Sequence, residues 1–404
     1  MNRTNTALRA LSEIPDAEGN SGLAPRVGAV AEIAAACAAE VDRDARFPRE
    51  AIDMAREHRL MGIAVPRELG GEDASLSAVA DVCFRLGQAC ASTAMIYAMH
   101  QIKVACIVRH GSGAPWHEAM LRHLCRDQLL LASSTTEGQG GGNVRSSAGP
   151  IERDGDIFTL ERAATVISYG ADADGIVTTA RRAPDALPTD QVLVVLLREH
   201  YSLDPILAWN TLGMRGTCSA GFTLKATGVA DQILPVPYDK IHVQTMTPIA
   251  HLTWASVWAG IAAASVDRAR QFIRGAARKA GGQLPPGAKH FTKANASLTT
   301  LRGLIASGIE RYQRAADDER KLASLDFQTM IGLTKVEASE LAVSTVMSAL
   351  RACGLSGYRN DSEFSIGRHL RDVLSSPLMI NNDRILSDVE TASLMGGMPS
   401  SLGE

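Results

Sequence analysis

Aromatic residues are scarce in this chain, 4% of 404 residues, and no apolar run reads as long enough to span a membrane. Neither charge dominates: 41 Lys and Arg face 44 Asp and Glu, a formal net charge of −3. That balance, with no basic tail, gives no electrostatic footprint for nucleic acid. The seven cysteines, at 37, 83, 90, 106, 125, 218 and 353, include no Cys-x-x-Cys pair. They read as buried thiols, with the cytoplasm as the expected compartment. No metal site is expected. The N-terminus alternates Arg, Asn and Thr without an apolar signal core, and residues 1–22 read as a flexible leader.

What the chain does have is apolar content of 46%, and a length that exceeds a single core, so two or three domains are expected. From 23 to 127 the pattern is helical. Val27, Val30, Ile33, Ala34 and Cys37 recur at three- and four-residue spacing, and Gly70-Gly71 turns the chain. Between 128 and 240 short β-branched runs alternate with Gly, Pro and Asp clusters, as in an antiparallel barrel or sandwich, and Asp154-Gly155 marks a tight hairpin. From 241 to 404 helical periodicity returns, with Ala342, Val346, Ala349 and Cys353 on one stripe that Gly354 stops. The expected fold class is α+β: an N-terminal helical domain, a middle β-barrel domain and a C-terminal four-helix bundle.

Four landmarks in order carry a family likeness. Phe47-Pro48 opens a helical run that ends at Gly70-Gly71; Ser134-Thr135-Thr136-Glu137 leads into a Gly-rich stretch; Trp209 to Ser219 includes Gly213-Met214-Arg215; and Gly354 to Gly357 precedes Arg371-Asp372. The chain resembles the acyl-CoA dehydrogenase superfamily, and more particularly its flavin-dependent monooxygenase branch. The departure is at the centre. In that family a Glu about two helical turns after the Arg-Asp pair removes the α-proton of an acyl thioester. Here Ile380, Asn381 and Asn382 fill that stretch, and the second family location for the Glu reads His251-Leu-Thr-Trp254. No side chain of Ile or Asn accepts a proton at neutral pH.

The resemblance implies an FAD site, with FMN or reduced flavin from a partner reductase as the alternatives. It assigns cofactor contacts to Thr135, Thr136, Gly142, Ser168, Arg351 and Gly354, with Ser168 near flavin N5. Arg351 stands where the family has a Gln, and the Arg-x-x-Phe-Gly motif that grips the nucleotide is scrambled around Arg270 to Lys279. The substrate pocket is expected from His100, Trp209, Ser219 and Trp254, and the catalytic groups from Ser168, Asn381, Asn382 and His100. Taken alone, each has an ordinary structural role to weigh against this: a lone His on an apolar helix is commonly a core residue, and an indole as often plugs a barrel.

Three functions are weighed. The first is an O2-using flavoenzyme that oxygenates or oxidises a small organic or acyl-thioester substrate. The second is an acyl-CoA or acyl-carrier-protein dehydrogenase with a displaced base, Asp383 or Glu363. The third is a catalytically silent binding member. A homotetramer or homodimer follows from the resemblance, with no nucleic-acid or membrane partner.

Overall fold

The computed structural model describes residues 22–137 and 144–395. The expected leader, apart from residue 22, and Gly142 lie outside them. The chain opens with helices α1 (Leu23–Asp44), α2 (Arg49–Glu57), α3 (Leu76–Ala89), α4 (Ala91–His110) and α5 (Pro115–Asp127). Helix α1 buries Val27, Val30, Ala34, Cys37 and Val41, the expected stripe with Ile33 at its edge. Pro48 stands just before α2, where its missing N–H costs nothing. The Ser75 hydroxyl accepts from Ala78 N to cap α3.

Among the described residues seven strands follow: β1 (Leu131–Ser134), β2 (Ile151–Asp154), β3 (Ile157–Ala164), β4 (Gly175–Arg181), β5 (Gln191–Leu197), β6 (Tyr201–Leu207) and β7 (Gly221–Val229). They form two sheets, ordered β1-β4-β5 and β2-β3-β7-β6, with a bridge between Pro150 and Arg181 joining them at one edge. The Asp154-Gly155 hairpin forms as expected, with Gly155 at φ +59. One pairing differs from the antiparallel expectation: β1 and β4 are parallel. A parallel pair needs a long crossover, and the β2–β3 hairpin lies within it.

The remaining helices are α6 (Tyr238–Ile241), α7 (Thr247–Lys279), α8 (Ala288–Ala315), α9 (Glu319–Leu322), α10 (Leu325–Cys353), α11 (Leu355–Tyr358), α12 (Gly367–Val373) and α13 (Asn382–Met395). Helix α6 runs into α7 through one wide π turn, His242–Met246. Pro248 accounts for it: without an N–H, and with its ring against the preceding carbonyls, it cannot continue a regular α-helical ladder.

Helix α7 packs against α3, α4, α8 and α10, so the N- and C-terminal helices share one core that runs from Leu23 to Val373. Where α3 crosses α7 the contact is backbone to backbone. A Cβ at Gly260 would overlap the Phe84 carbonyl oxygen, and one at Gly87 the Val257 carbonyl oxygen. Contrary to the expectation that no apolar run is long enough, helix α4 and the continuous helix Tyr238–Lys279 are long and apolar enough to cross a membrane. Their apolar stretches are 83% and 89% buried inside the protein, and both serve as core helices.

Candidate active site

A cavity of about 1360 Å³ opens where α4, the β-domain loops, the start of α7 and the α12–α13 segment converge. Ligand pockets for drug-sized molecules run to roughly 300–1,000 Å³, so this one has room for two molecules at once.

Its β-side wall is set by backbone pairing. Ile167 N donates to Ala220 O and Tyr169 N to Thr217 O, which brings the Ser168 segment alongside the Thr217–Ala220 segment. Three buried hydroxyls then line up. Thr217 Oγ1 lies 2.8 Å from Ser219 Oγ, and Ser219 donates to Ser168 Oγ at 2.8 Å. A hydroxyl has one proton. Thr217's goes to Met214 O and Ser219's to Ser168, which leaves the Ser168 hydroxyl to donate to whatever enters the cavity, which all three residues line.

The loop that carries these hydroxyls is held from the other domain. Asp372 Oδ1 accepts from Met214 N at 2.7 Å, while Arg371 pairs with Asp42 of α1 and donates to Leu212 O at 3.1 Å. Gly213 sits so close that a Cβ would overlap the Arg371 carbonyl oxygen. Trp209 Nε1 folds back onto Met214 O at 3.1 Å, closing the loop. Burial pushes the Asp372 carboxyl up to about 6, against the lowering effect of its bond from Met214.

Thr135 and Thr136 enter the cavity wall from the end of β1. Their placement depends on a buried ion pair: Arg162 Nε lies 3.2 Å from Glu137 Oε1, and Arg162 also donates to Thr136 O and Ser134 O, each at 3.1 Å. The other Glu137 oxygen accepts from Ala148 N at 2.6 Å, so Glu137 acts as an anchor of the segments flanking 138–143. Burial pushes the Arg162 guanidinium down to about 10.

On the helical side, His251 and Trp254 line the cavity from α7. His251 Nδ1 donates to Ile331 O at 3.3 Å, and burial pushes the imidazole down to about 3, so it is neutral. Trp254 Nε1 is buried without an acceptor among the described residues. An orphan indole N–H at a cavity wall is a donor waiting for a ligand acceptor.

Of the residues singled out in the sequence, Thr135, Thr136, Ser168, Trp209, Ser219, Trp254 and Asn381 therefore meet around one cavity. Asn381 also accepts from Asp383 N at 2.9 Å with its side-chain oxygen, at the entry to α13. Others are elsewhere. His100 is fully buried behind the wall: Leu131 N donates to its Nδ1 at 3.0 Å and Nε2–H donates to Met61 O at 2.8 Å. That pattern fixes the neutral tautomer, burial pushes it down to about 4, and both nitrogens are consumed in tying α4 to β1. Asn382 is buried against α10, bonded to Lys335, Ser339 and Glu340, and does not line the cavity. Arg351 and Gly354 are exposed at the far end of α10, away from the lining. Gly142 is not among the described residues.

Lys103, Tyr238, His242 and His251 are among the lining groups that the motifs do not select as site residues. One signal was present for the first. Met95, Met99, Ile102 and Lys103 lie on one face of α4, and a lysine within so apolar a helix stands out more than the histidine three residues before it. Among the described residues of the lining the single carboxylate is Asp388, exposed on α13; neither Asp383 nor Glu363 is there.

A family model described as acyl-CoA dehydrogenase, N-terminal domain, matches residues 26–125. The fold match covers the rest: a TM-score of 0.81 over 93% of this chain and 98% of FMN-bound TdsC from Paenibacillus sp. A11-2, at 19% identity. The chain has an acyl-CoA dehydrogenase-like fold with that family's N-terminal domain. Full-length relatives of this acyl-CoA dehydrogenase-like chain include a cyclohex-1-ene-1-carbonyl-CoA dehydrogenase of Syntrophus aciditrophicus, 25% identical over 91% of this chain and 87% of the relative. An L-evernosamine nitrososynthase of a Micromonospora species is 26% identical over 89% and 84%. The chain is thus similar both to a dehydrogenase and to a nitrososynthase.

The donor set fits a flavin ring, which presents two carbonyl oxygens and acceptor nitrogens. The cavity offers the Ser168 hydroxyl, the Trp254 N–H and the Thr135 and Thr136 side chains, with one exposed carboxylate to oppose them.

Proposed function

We propose that this protein is a flavin-dependent enzyme of the acyl-CoA dehydrogenase family that uses O2 to oxygenate or oxidise a small organic or acyl-thioester substrate. The observation that carries the reading is the cavity's proton inventory. Dehydrogenation at the α-carbon of a thioester needs a positioned base near its working pKa. The described lining instead supplies a free hydroxyl proton at Ser168, an indole N–H at Trp254 and a neutral imidazole at His251.

Thr135, Thr136, Ser168 and Trp254 are the residues that would hold the ring. When bound and reduced, a flavin would supply two electrons to O2, which with two protons would place one oxygen atom on the substrate and release the other as water. Ser168, supported from behind by Ser219 and Thr217, donates its proton into the cavity, and Met95, Met99 and Ile102 keep that side apolar and exclude water. The ring is supplied as FAD, as FMN or as reduced flavin delivered by a separate reductase, and the mass of the cofactor released on denaturation distinguishes the first two.

A second reading has one specific support: Asp388 reaches the cavity and would act as a displaced base for acyl-CoA dehydrogenation. Two experiments separate the readings. Photoreduced enzyme mixed with 18O2 and candidate substrates should yield labelled product. Anaerobic bleaching of the bound flavin by an acyl-CoA, lost on Asp388→Asn and accompanied by no label incorporation, would overturn the oxygenase reading in favour of the dehydrogenase.

A further inference from the structure

The end of the cavity formed by α4 and the π turn holds a buried cation with no countercharge against it among the described residues. Lys103 is 3% exposed, and among those residues its Nζ meets only the Met246 sulfur, at 3.5 Å. The same sulfur is the one partner the described residues give the Tyr238 hydroxyl, at 3.4 Å. A thioether is the weakest acceptor a side chain offers, so two strong donors converge on a group that satisfies neither. The single described carboxylate of the lining, Asp388, is on α13 and is exposed. Leaving an ammonium ion in such surroundings is costly. Burial pushes it down to about 8, and the neighbouring His242 is pushed down to about 4 by burial first, then by the charges of Arg145 and Lys103. The neighbouring wall, Met95, Met99 and Ile102, is apolar.

We propose that Lys103 and Tyr238 form an anion-binding end of the cavity, and that the substrate is a small molecule with an apolar body ending in a carboxylate or sulfonate oxyanion. Such a group supplies the missing charge and at least two acceptor oxygens for the two donors. The apolar stretch of α4 sets the body of the molecule, and the lysine sets its end. This assignment rests on the proposed flavin-and-substrate cavity for its meaning but not for its test.

The test uses benzoate and benzamide, matched in shape and differing in charge, titrated by calorimetry into the purified full-length protein with and without reconstituted flavin. Wild type is expected to bind benzoate at least about tenfold more tightly than benzamide, a difference of roughly 1.4 kcal/mol. Lys103→Met should bring that ratio to within about twofold while leaving benzamide affinity unchanged, and should raise the melting temperature by removing a buried charge. If Lys103→Met is insoluble, Lys103→Gln carries the same comparison. Equal affinity of wild type for the two probes, binding of neither at millimolar concentration, or a benzoate preference that survives in Lys103→Met each overturns the proposal. A preference seen with riboflavin but abolished by FMN or FAD would give the anion site to the cofactor phosphate and overturn the substrate assignment. A preference seen in flavin-free protein that binds no flavin supports the anion site and removes the flavin reading instead.

Discussion

Asp372 on α12 accepts a hydrogen bond from Met214 N at 2.7 Å, so a carboxylate of the C-terminal helices holds a β-domain loop in place. Met214 is in the left-handed region at φ +53, and its carbonyl takes the Trp209 indole and the Thr217 hydroxyl. One contact between domains thereby orders the loop that supports Ser219 and, through it, Ser168.

Asp372→Ala should loosen that loop, lowering stability by about 1–3 kcal/mol because Met214 N is left buried and unpaired. Asp372→Asn keeps an acceptor oxygen and should be milder. It should also change the pH profile. The folded carboxyl is raised to about 6, above its ordinary 3.8, so its contribution favours the fold most below 3.8 and is lost as pH rises through 6. In denaturant titrations between pH 7 and 4, wild type should therefore lose less stability on acidification than Asp372→Asn does, the difference between the two being the Asp372 contribution.

The buried histidines act in the opposite sense. His100 and His110 are pushed down to about 4 and His251 to about 3, all chiefly by burial. Their neutral forms favour the fold fully above the ordinary 6.5, and that contribution is lost as pH falls from 6.5 toward 4. Each is worth roughly 1.4 kcal/mol per pH unit in that range, and three outweigh the single Asp372. Melting temperature should fall steeply between pH 6.5 and 4.5, and His100→Gln should be strongly destabilising without being selectively catalytic.

Ser168→Ala removes the donor left free by the hydroxyl chain. Substrate-dependent O2 consumption should drop by roughly 10²–10³-fold with flavin still bound, the cost of losing one well-placed donor. Ser219→Ala leaves Ser168 its proton but not its orientation, so a smaller loss is expected. Equal rates in all three proteins would take the chain out of the chemistry.

Gly213→Ala should cost about 1–3 kcal/mol, because the added methyl overlaps the Arg371 backbone rather than a side chain that can move. Chemical denaturation measures the loss, and flavin retention during gel filtration should fall with it.

Large apolar side chains remain exposed on the C-terminal helices, including Leu355, Tyr358, Leu394 and Met395, at 72%, 76%, 84% and 77%. Light scattering should find an oligomer, dimer or tetramer, and Leu355→Glu with Tyr358→Glu should reduce its mass. A monomeric wild type would remove the assembly reading.

Much of the fold was legible in order along the chain. Period and turn chemistry are local, so the α1 stripe, the Asp154-Gly155 hairpin and the Gly354 stop follow from neighbouring residues. The parallel pairing of β1 with β4 was not legible, because it joins segments about 44 positions apart with a hairpin between them. Within the site, the residues carried by loops, Thr136, Ser168, Trp209 and Ser219, were found together. Of those carried by helices, Trp254 lines the cavity, while His100 and Asn382 miss it by a fraction of a turn. His100 and Lys103 differ by three residues, and the rotation of α4 sends the first into the core and the second into the cavity. Asn381 and Asn382 divide in the same way at the start of α13.

The sequence by itself determined the order helices, strands, helices, the scarcity of carboxylate where the family carries its base, and the hydroxyl residues of the β-domain loops. Tertiary structure alone decided which of those groups have protons to give and which charges lack partners. A hydroxyl's free proton at Ser168 and an uncompensated ammonium at Lys103 depend on what lies within hydrogen-bonding reach, and those neighbours come from segments 51 and 143 residues away.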